Sequence, residues 1–455
     1  MEGQNNPGLC RQLIAGSAAS LGVLACAAVW AWLTPTLPHL LGPDSEIPMT
    51  SEEASWMVSM PELGNFISPL PASYIADHFG RKIVILTSAP LFFLGWVVII
   101  YCKTILALNV GRIIQGLAIG VVYTIVPVYL GEIASPAHRG AVTSAFYLLW
   151  WFGFLLEYIF GPALSLMNFT YLSASSSVIF FLAFIWQPES PYYYLMRNDL
   201  ESAKKSLTWL LNSTEKKTDE ELETMRKCIE EDKKVKVKWN ELVANPTDRK
   251  AMIIMFLIGY IRQCCGVIPL SVYSTQTLEA TNNNFFISSD NVTIIMGAMM
   301  LISCVFSLFT LDKFGRKPML FISCTISGVL VLCTTIYYFC QFVLLVNVDN
   351  LNWIPPVAMI VLSGVSVIGI FPVNTAYSSE LFTSNMRSTA SGIFNIYTTF
   401  VGIIVLKFYL TVFDNLGVYV NFLFFTFTCF LGSFLSCFIM PETKGKTFEQ
   451  IRRDL

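Results

Sequence analysis

Twelve apolar runs of about twenty residues recur along the chain, at 12–33, 55–75, 83–102, 105–130, 140–162, 167–186, 251–274, 291–311, 318–340, 355–380, 388–411 and 417–440. Each is long enough for a helix to cross the roughly 30 Å apolar core of a bilayer. The runs are continuous and show none of the ten-residue alternation of a membrane β-barrel. They predict an all-α membrane protein with twelve transmembrane helices. Ala25-Cys26-Ala27 resembles a signal cleavage site, but the first run is longer than a signal h-region and eleven more follow it, so it reads as a span. Composition agrees: 54% of residues are hydrophobic and 13% charged, against about 25% charged in soluble chains. A soluble enzyme, a secreted disulfide scaffold and a nucleic-acid binder are excluded. Most of the twelve Cys lie inside apolar runs (Cys304, Cys324, Cys333, Cys429, Cys437), where a thiol serves as a small hydrophobe. No zinc-type spacing occurs, and no metal or cofactor is expected.

Net charge is only −2, but the charges are sorted. With the N-terminus inside, all but four of the 29 Lys and Arg fall on the cytoplasmic side, as the positive-inside rule requires. The exceptions are Lys103, Arg112, Arg262 and Lys407. The opposite loops carry Asp44, Glu46, Glu52, Glu53, Asp290 and Asp349. Both termini are then cytoplasmic. Asn168 and Asn291 sit outside in glycosylation sequons, close to the membrane. The 188–250 segment holds 13 Lys and Arg among interleaved acids and reads as short amphipathic helices under the membrane.

Three strings occur twice. Asp77-His78-Phe79-Gly80-Arg81-Lys82 returns as Asp312-Lys313-Phe314-Gly315-Arg316-Lys317. Glu132 with Arg139 returns as Glu380 with Arg387, and Pro188-Glu189-Ser190-Pro191 returns loosely as Pro441-Glu442-Thr443-Lys444. The displacements of 235, 248 and 253 residues agree within loop length. The chain divides as a six-helix half at 12–187, a helical linker at 188–250, a second half at 251–440 and a tail at 441–455. Two six-helix halves form one of the main secondary-transporter plans, with a solute site near the midplane between them. Asp77, Arg81, Glu132, Arg139, Asp312, Arg316, Glu380 and Arg387 are expected to form salt bridges that separate when the cytoplasmic side opens.

At these residues the chain resembles the sugar porter family of the major facilitator superfamily. Further matches are Gly111-Arg112 with Gln115-Gly116, Pro127-Val128-Tyr129-Leu130-Gly131-Glu132, Arg139-Gly140 and Pro441-Glu442-Thr443-Lys444-Gly445-Lys446-Thr447. Trp32-Leu33-Thr34-Pro35-Thr36-Leu37-Pro38 and Glu53-Ala54-Ser55-Trp56 look like the insect facilitated trehalose and glucose transporters. The resemblance implies facilitated, alternating-access transport of a hexose, trehalose or related solute across the plasma membrane. Proton-coupled members place an Asp in the first span; the corresponding position looks like Val29, which favours uniport. Arg112 belongs to a family motif and is expected in a structural ion pair.

The family's sugar-binding positions match poorly. The usual Gln-Gln-Leu-Ser-Gly-Ile-Asn of the seventh span reads Arg262-Gln263-Cys264-Cys265-Gly266-Val267-Ile268. A Gln falls at Tyr147, an Asn at about Met300, and two Trp fall at Thr375 and Ile396. Sugars need side chains that donate and accept, plus an aromatic plate for C–H faces. The candidate cavity residues are Tyr147, Arg262, Gln263, Tyr273, Asn374, Thr375, Asn395 and Thr399. Arg262 lies about 16 Å into its span, where a charge marks a functional site by default. It reads as a binder of an anionic or strongly hydrogen-bonding solute, as a paired structural residue, or as the mark of a non-transporting solute sensor. Glu157 lies too near the outer face to pair with it directly. The Trp150-Trp151-Phe152 cluster reads as lipid or helix packing, and Tyr192-Tyr193-Tyr194 as an interfacial belt. The partners expected are a small solute and the bilayer, with no nucleic acid and a monomer by default. An organic-anion transporter using Arg262 is the alternative, and an enzyme is not expected: only His39, His78 and His138 are available as general bases.

Overall fold

The computed structural model describes residues 7–43, 45–135, 138–212, 215–234, 245–279, 287–382, 384–446 and 450–451. Within them, the side chains of Asp312 and Arg387 lie outside the described set. The chain is helical, and among the described residues eleven helices are long and apolar enough to cross a membrane. The span expected at 55–75 is present as two helices, α3 (Ser51–Ile67) and α4 (Pro69–Phe79), broken at Ser68. Span 1 is likewise α1 (Pro7–Ala31) plus α2 (Leu33–Leu41). Spans 3 to 6 are α5 (Arg81–Tyr101), α6 (Ile105–Ile133), α7 (Arg139–Ala163) and α8 (Leu166–Phe184). Helices α9 (Pro191–Met196), α10 (Leu200–Leu211) and α11 (Glu215–Lys234) fall in the linker.

Span 7 is α12 (Pro246–Cys264) with α13 (Val267–Glu279), followed by α14 (Ser289–Phe314) and α15 (Arg316–Phe342). Span 10 is α16 (Ile354–Ile368) with α17 (Ile370–Glu380), and α18 (Ser384–Leu416) and α19 (Val418–Phe438) complete the set.

Local chemistry places the ends. Thr50 and Glu53 close a reciprocal cap on α3, with Thr50 N–H donating to Glu53 Oε2 at 2.9 Å and Glu53 N–H to Thr50 Oγ1 at 3.3 Å. Thr104, Asn245 and Ser288 cap α6, α12 and α14 through their side-chain oxygens. Span 7 breaks because Gly266 adopts φ +99°, a left-handed geometry that only glycine enters without strain.

Packing repeats six spans on. In the first six, α6 packs on α3 and α5, α1 on α7 and α8, and α5 on α8. The corresponding neighbours in the last six are α16 on α14 and α15, α12 on α18 and α19, and α15 on α19. The two sets meet where α3 packs on α18, α7 on α14, and α2 on α13.

Candidate functional site

One side of the bundle carries the linker and the duplicated strings; it is the linker side, and the opposite face is the far side. On the linker side each copy of the string folds into the same latch. Gly80 and Gly315 turn the chain at φ +105° and +90°. The Arg that follows reaches back to a helix-end carbonyl, Arg81 to Ala76 and Arg316 to Leu311. Its guanidinium pairs with an acid one span on. Arg81 Nε lies 3.2 Å from both oxygens of Glu132, and Arg316 Nη2 lies 2.7 Å from Glu380.

A third acid completes each latch. Glu189 accepts from the N–H groups of Arg81 and Lys82 at 3.0–3.1 Å, and Glu442 from those of Arg316 and Lys317 at 3.1 Å. Carboxylates at a helix N-terminus are favoured by its orphan donors and dipole. Tyr129 and Tyr377 donate to the carbonyls of Pro188 and Pro441, both at 2.7 Å. Asp77 adds a bond of 3.2 Å to Arg81 from an exposed position. Arg139 is exposed and has no ion pair among the described residues. The expectation that these bridges part as the cytoplasmic side opens needs correcting in one respect. Each described pair joins helices of the same six-span set, so no pair needs to break when the two sets move apart.

The reading of Tyr192-Tyr193-Tyr194 as an interfacial belt also changes: the Tyr193 ring lies 6.0 Å from the guanidinium carbons of Arg81 and Arg197, and its hydroxyl donates to His78 O. The two latch acids differ in setting. Burial pushes the Glu189 carboxyl above its ordinary 4.5. Burial also opposes ionisation of Glu442, but four backbone N–H donors outweigh it and hold that carboxyl below 4.5. Glu442 therefore contributes stability that is present above pH 4.5 and lost as pH falls through its depressed value. Glu189 acts oppositely, costing stability as pH rises through the interval above 4.5. In thermal melts, the stability gap between wild type and Glu442→Gln is expected to close only below pH 4.5. The corresponding effect of Glu189→Gln is expected to change sign or shrink above that pH.

Toward the midplane, both sets of spans contribute to one cluster. Glu62 and Asn65 of α3 are buried, and Asn65 Nδ2 donates to Glu62 Oε2 at 2.9 Å and to Thr399 of α18 at 3.3 Å. Gln263 donates to Thr398 O at 2.7 Å. Gly402 lies between them. A Cβ there would stand 2.8 Å from Gln263 Nε2 and 3.3 Å from Glu62 Oε1. Gln263 Oε1 and, on α17, Asn374 Oδ1 are buried without a hydrogen-bond partner among the described residues. Tyr147 is 40% exposed although deep in α7, and it stands beside Thr375 of α17, which belongs to the other set. Arg262 occupies the last turn of α12, where the C-terminal carbonyls favour a cation. Its guanidinium lies 5.1 Å above the ring of Phe371, which meets Trp151 edge-on at 5.6 Å. Trp151 is thus helix packing across the two sets and not a lipid contact.

Tyr273 departs from the cavity group: it is fully buried, stacked 4.7 Å from Tyr409, with its hydroxyl donating to Leu406 O. Asn395 is exposed. Glu157 bonds to Ser173 at 2.6 Å, away from Arg262. Glu62 is the residue the sequence reading passed over, and it was visible as the one acid inside the run 55–75.

The four basic residues on the wrong side of the charge rule each have a local reason. Lys103 pairs with Glu46. Lys407 donates to Ser55 at 3.0 Å, lies 4.7 Å over the Trp56 ring and reaches Glu52 at 3.9 Å. That contact ties α18 to α3 on the far side. Thr34 and Tyr158 both donate to Ser271 O, at 2.7 and 2.6 Å, and close the same side. Arg112 corrects the expected ion pair: it is fully buried, donates to Val29 O at 2.8 Å and Gln115 at 3.1 Å, and lies 5.8 Å from the Trp32 ring. No acid bonds to it among the described residues. The Asn168 and Asn291 side chains are exposed in the first turns of α8 and α14.

The family profile described as "Sugar (and other) transporter" matches residues 26–455. The chain belongs to that family. It is 26% identical to the facilitated trehalose transporter of Bombyx mori over 98% of this chain and 87% of that one. Identity is 27% with the mouse facilitated glucose transporter member 6 of solute carrier family 2, over 97% of this chain and 90% of that one. A Drosophila willistoni facilitated trehalose transporter is 25% identical, and the chain spans about half its length, 51%. Among solved structures, the inward-open xylose transporter XylE from E. coli superposes with a TM-score of 0.77 at 19% identity, covering 97% of this chain and 98% of that one. XylE bound to 6-bromo-6-deoxy-D-glucose gives 0.76 at 18% identity, covering 99% of each. These structures share the fold. As a sugar transporter family member, the chain is a multi-pass membrane protein that carries solute and does no covalent chemistry.

Proposed function

We propose that the protein carries a sugar, a hexose or trehalose in class, across the plasma membrane by facilitated alternating access. The linker side is the cytoplasmic side, with both termini there, and the two six-helix halves run from 12–187 and 251–440. The observation that supports this reading best is the midplane cluster, where Glu62, Asn65 and Tyr147 of one half meet Gln263, Thr375 and Thr399 of the other. A buried amide oxygen there, on Gln263, awaits a donor. The halves are joined by Lys407 and by the carbonyl of Ser271 on the far side. A cluster sealed on one side and shared by two bodies is what alternating access requires. The relatives named as trehalose and glucose transporters give the substrate class its first candidates. Val29 in place of an acid supports uniport.

The test is uptake into proteoliposomes of labelled glucose, trehalose, a polyol and a small carboxylate, with and without a pH gradient. Saturable sugar uptake indifferent to the gradient is expected. Uptake of the carboxylate alone would instead make the protein an organic-anion carrier. Silence toward every solute from folded, inserted protein would make it a sensor.

A further inference from the structure

A lone guanidinium at the midplane would draw anions into the site and disfavour neutral sugars. Arg262 is not alone. Glu62, on α3 of the opposite half, stands 3.3 Å from where a Cβ on Gly402 would lie, and Gln263, next to Arg262 in the chain, stands 2.8 Å from the same point. No oxygen of Glu62 comes within the 4.0 Å of a direct ion pair. Glu62 is 8% exposed, holds one hydrogen bond from Asn65, and its other oxygen points toward Gly402. Arg262 donates no hydrogen bond to another residue among the described ones, and its guanidinium covers the Phe371 ring. The midplane thus contains an acceptor-only group and a donor-only group, one from each half, that make no direct ion pair.

We propose that Glu62 and Arg262 together form the recognition site for a neutral polyhydroxy solute, with Glu62 as a specificity-determining residue. This rests on the transport reading above and names what that site selects. The chemistry follows from donor and acceptor counts. A guanidinium offers five N–H donors and no acceptor, a carboxylate only acceptors. A hydroxyl does both. Set between them, it donates to Glu62 and accepts from Arg262, and its neighbour on the sugar ring donates to the free oxygen of Gln263. Phe371, backed by Trp151, supplies the flat apolar surface for the ring's C–H face. The pair therefore replaces the amides and tryptophans that the sugar porter pattern places at Ile268, Met300, Thr375 and Ile396. With Glu62 ionised, its charges sum to zero. An anionic solute attracted by Arg262 meets Glu62, and a cationic one attracted by Glu62 meets Arg262, so both are rejected relative to a neutral one.

Removing either charge is then expected to convert the selectivity in opposite directions. The experiment measures proteoliposome uptake of glucose, glucuronate and glucosamine by wild type, Glu62→Gln, Arg262→Gln and the double variant. Wild type is expected to prefer glucose. Glu62→Gln is expected to raise the glucuronate-to-glucose ratio about tenfold or more, and Arg262→Gln to raise the glucosamine-to-glucose ratio about as much; tenfold corresponds to about 1.4 kcal/mol. The double variant returns to neutral preference at a lower rate. Competition on wild type serves if a variant fails to fold: excess unlabelled glucose should block labelled glucose uptake about tenfold better than either charged analogue. The proposal is overturned if glucuronate or glucosamine competes as well as glucose. Glucose uptake that persists in both single variants with selectivity ratios unchanged overturns it too, while leaving the transport reading intact. Absence of glucose and trehalose uptake by folded wild type would overturn the transport reading, and this proposal with it.

Discussion

Arg316→Ala is expected to cost far more stability than an ordinary surface substitution on the linker side, and to stop transport. Arg316 is 12% exposed and Glu380 25%, so the pair is mostly withdrawn from solvent. Removing one partner strands the other, and for buried pairs that costs about 3–5 kcal/mol; partial exposure puts this one toward the lower end. The loss extends beyond the ion pair. The guanidinium also ties the end of α14 through Leu311 O, and Thr443 donates to Glu380. Without it, the end of α17, the tail and the α14–α15 turn lose their common anchor. Arg316→Lys keeps the charge but not the planar fork, and is expected to recover only part of the loss. Arg139→Ala is the control: exposed and outside any described ion pair, it should fall within the roughly ±0.5 kcal/mol of ordinary surface changes. Thermal unfolding of the purified protein, read beside uptake, checks all three. Equal losses for Arg139→Ala and Arg316→Ala would show that the latch does not act as argued.

The twelve spans, the linker and the duplicated latch were legible in the sequence because each rests on short-range rules. Span length is set by bilayer thickness, and the side of a loop by Lys and Arg. A string such as Asp-x-Phe-Gly-Arg-Lys repeated at matching displacement has few explanations other than a repeated structure. Even so, the repeated Pro-Glu pair was read only as a repeat. That Glu189 and Glu442 would cap the helices starting at Arg81 and Arg316 depends on two segments more than 100 residues apart folding against each other.

The midplane was less legible for the same reason. Gln263, Asn374, Thr375, Thr399 and Tyr147 came from span positions; of these, Thr399 accepts from Asn65 and Gln263 lies near Glu62 about Gly402. Tyr273 came from the same reasoning and is spent on Tyr409 and Leu406 O, because helix rotation about its axis is set by packing and not by sequence position. Arg262 drew attention as a charge, and the search for its partner went to the fifth span and found Glu157. The acid that faces it, Glu62, lies in the second span. Only the contact of α3 with α18 brings it there. Arg112 shows the converse. The motif around it was recognised and an ion pair expected, but its partners are a backbone carbonyl, an amide and an indole ring.

The crossing of α3 and α6 sets where Glu62 stands, and it gives the second large expected effect. Gly116 of α6 lies against the backbone of Pro61, the residue before Glu62. A Cβ on Gly116 would come within 2.8 Å of both Pro61 Cα and its carbonyl carbon, and closer still to the carbonyl oxygen. Those are main-chain atoms of a helix, so no rotamer change relieves the clash. The two helices must move apart. Gly64 of α3 makes the reciprocal approach, with a Cβ there falling 2.7 Å from Gly116 C. Close approach by facing glycines is a recurring way for helices to associate in a bilayer, where burial from water contributes little between spans.

Gly116→Ala is therefore expected to cost at least the roughly 1–3 kcal/mol of ordinary overpacking. It is also expected to displace Glu62 and Asn65 from Thr399 and Gln263, so that uptake falls further than stability alone would predict. Gly131 lies on the same helix with nothing within 4 Å of where its Cβ would be. Gly131→Ala should be neutral or stabilising by up to about 1 kcal/mol, since Ala is the better helix former. The pair separates the loss of a close approach from the mere loss of a glycine in α6. If Gly116→Ala melts and transports like Gly131→Ala, α3 can shift without disturbing the midplane, and the placement of Glu62 does not depend on this crossing.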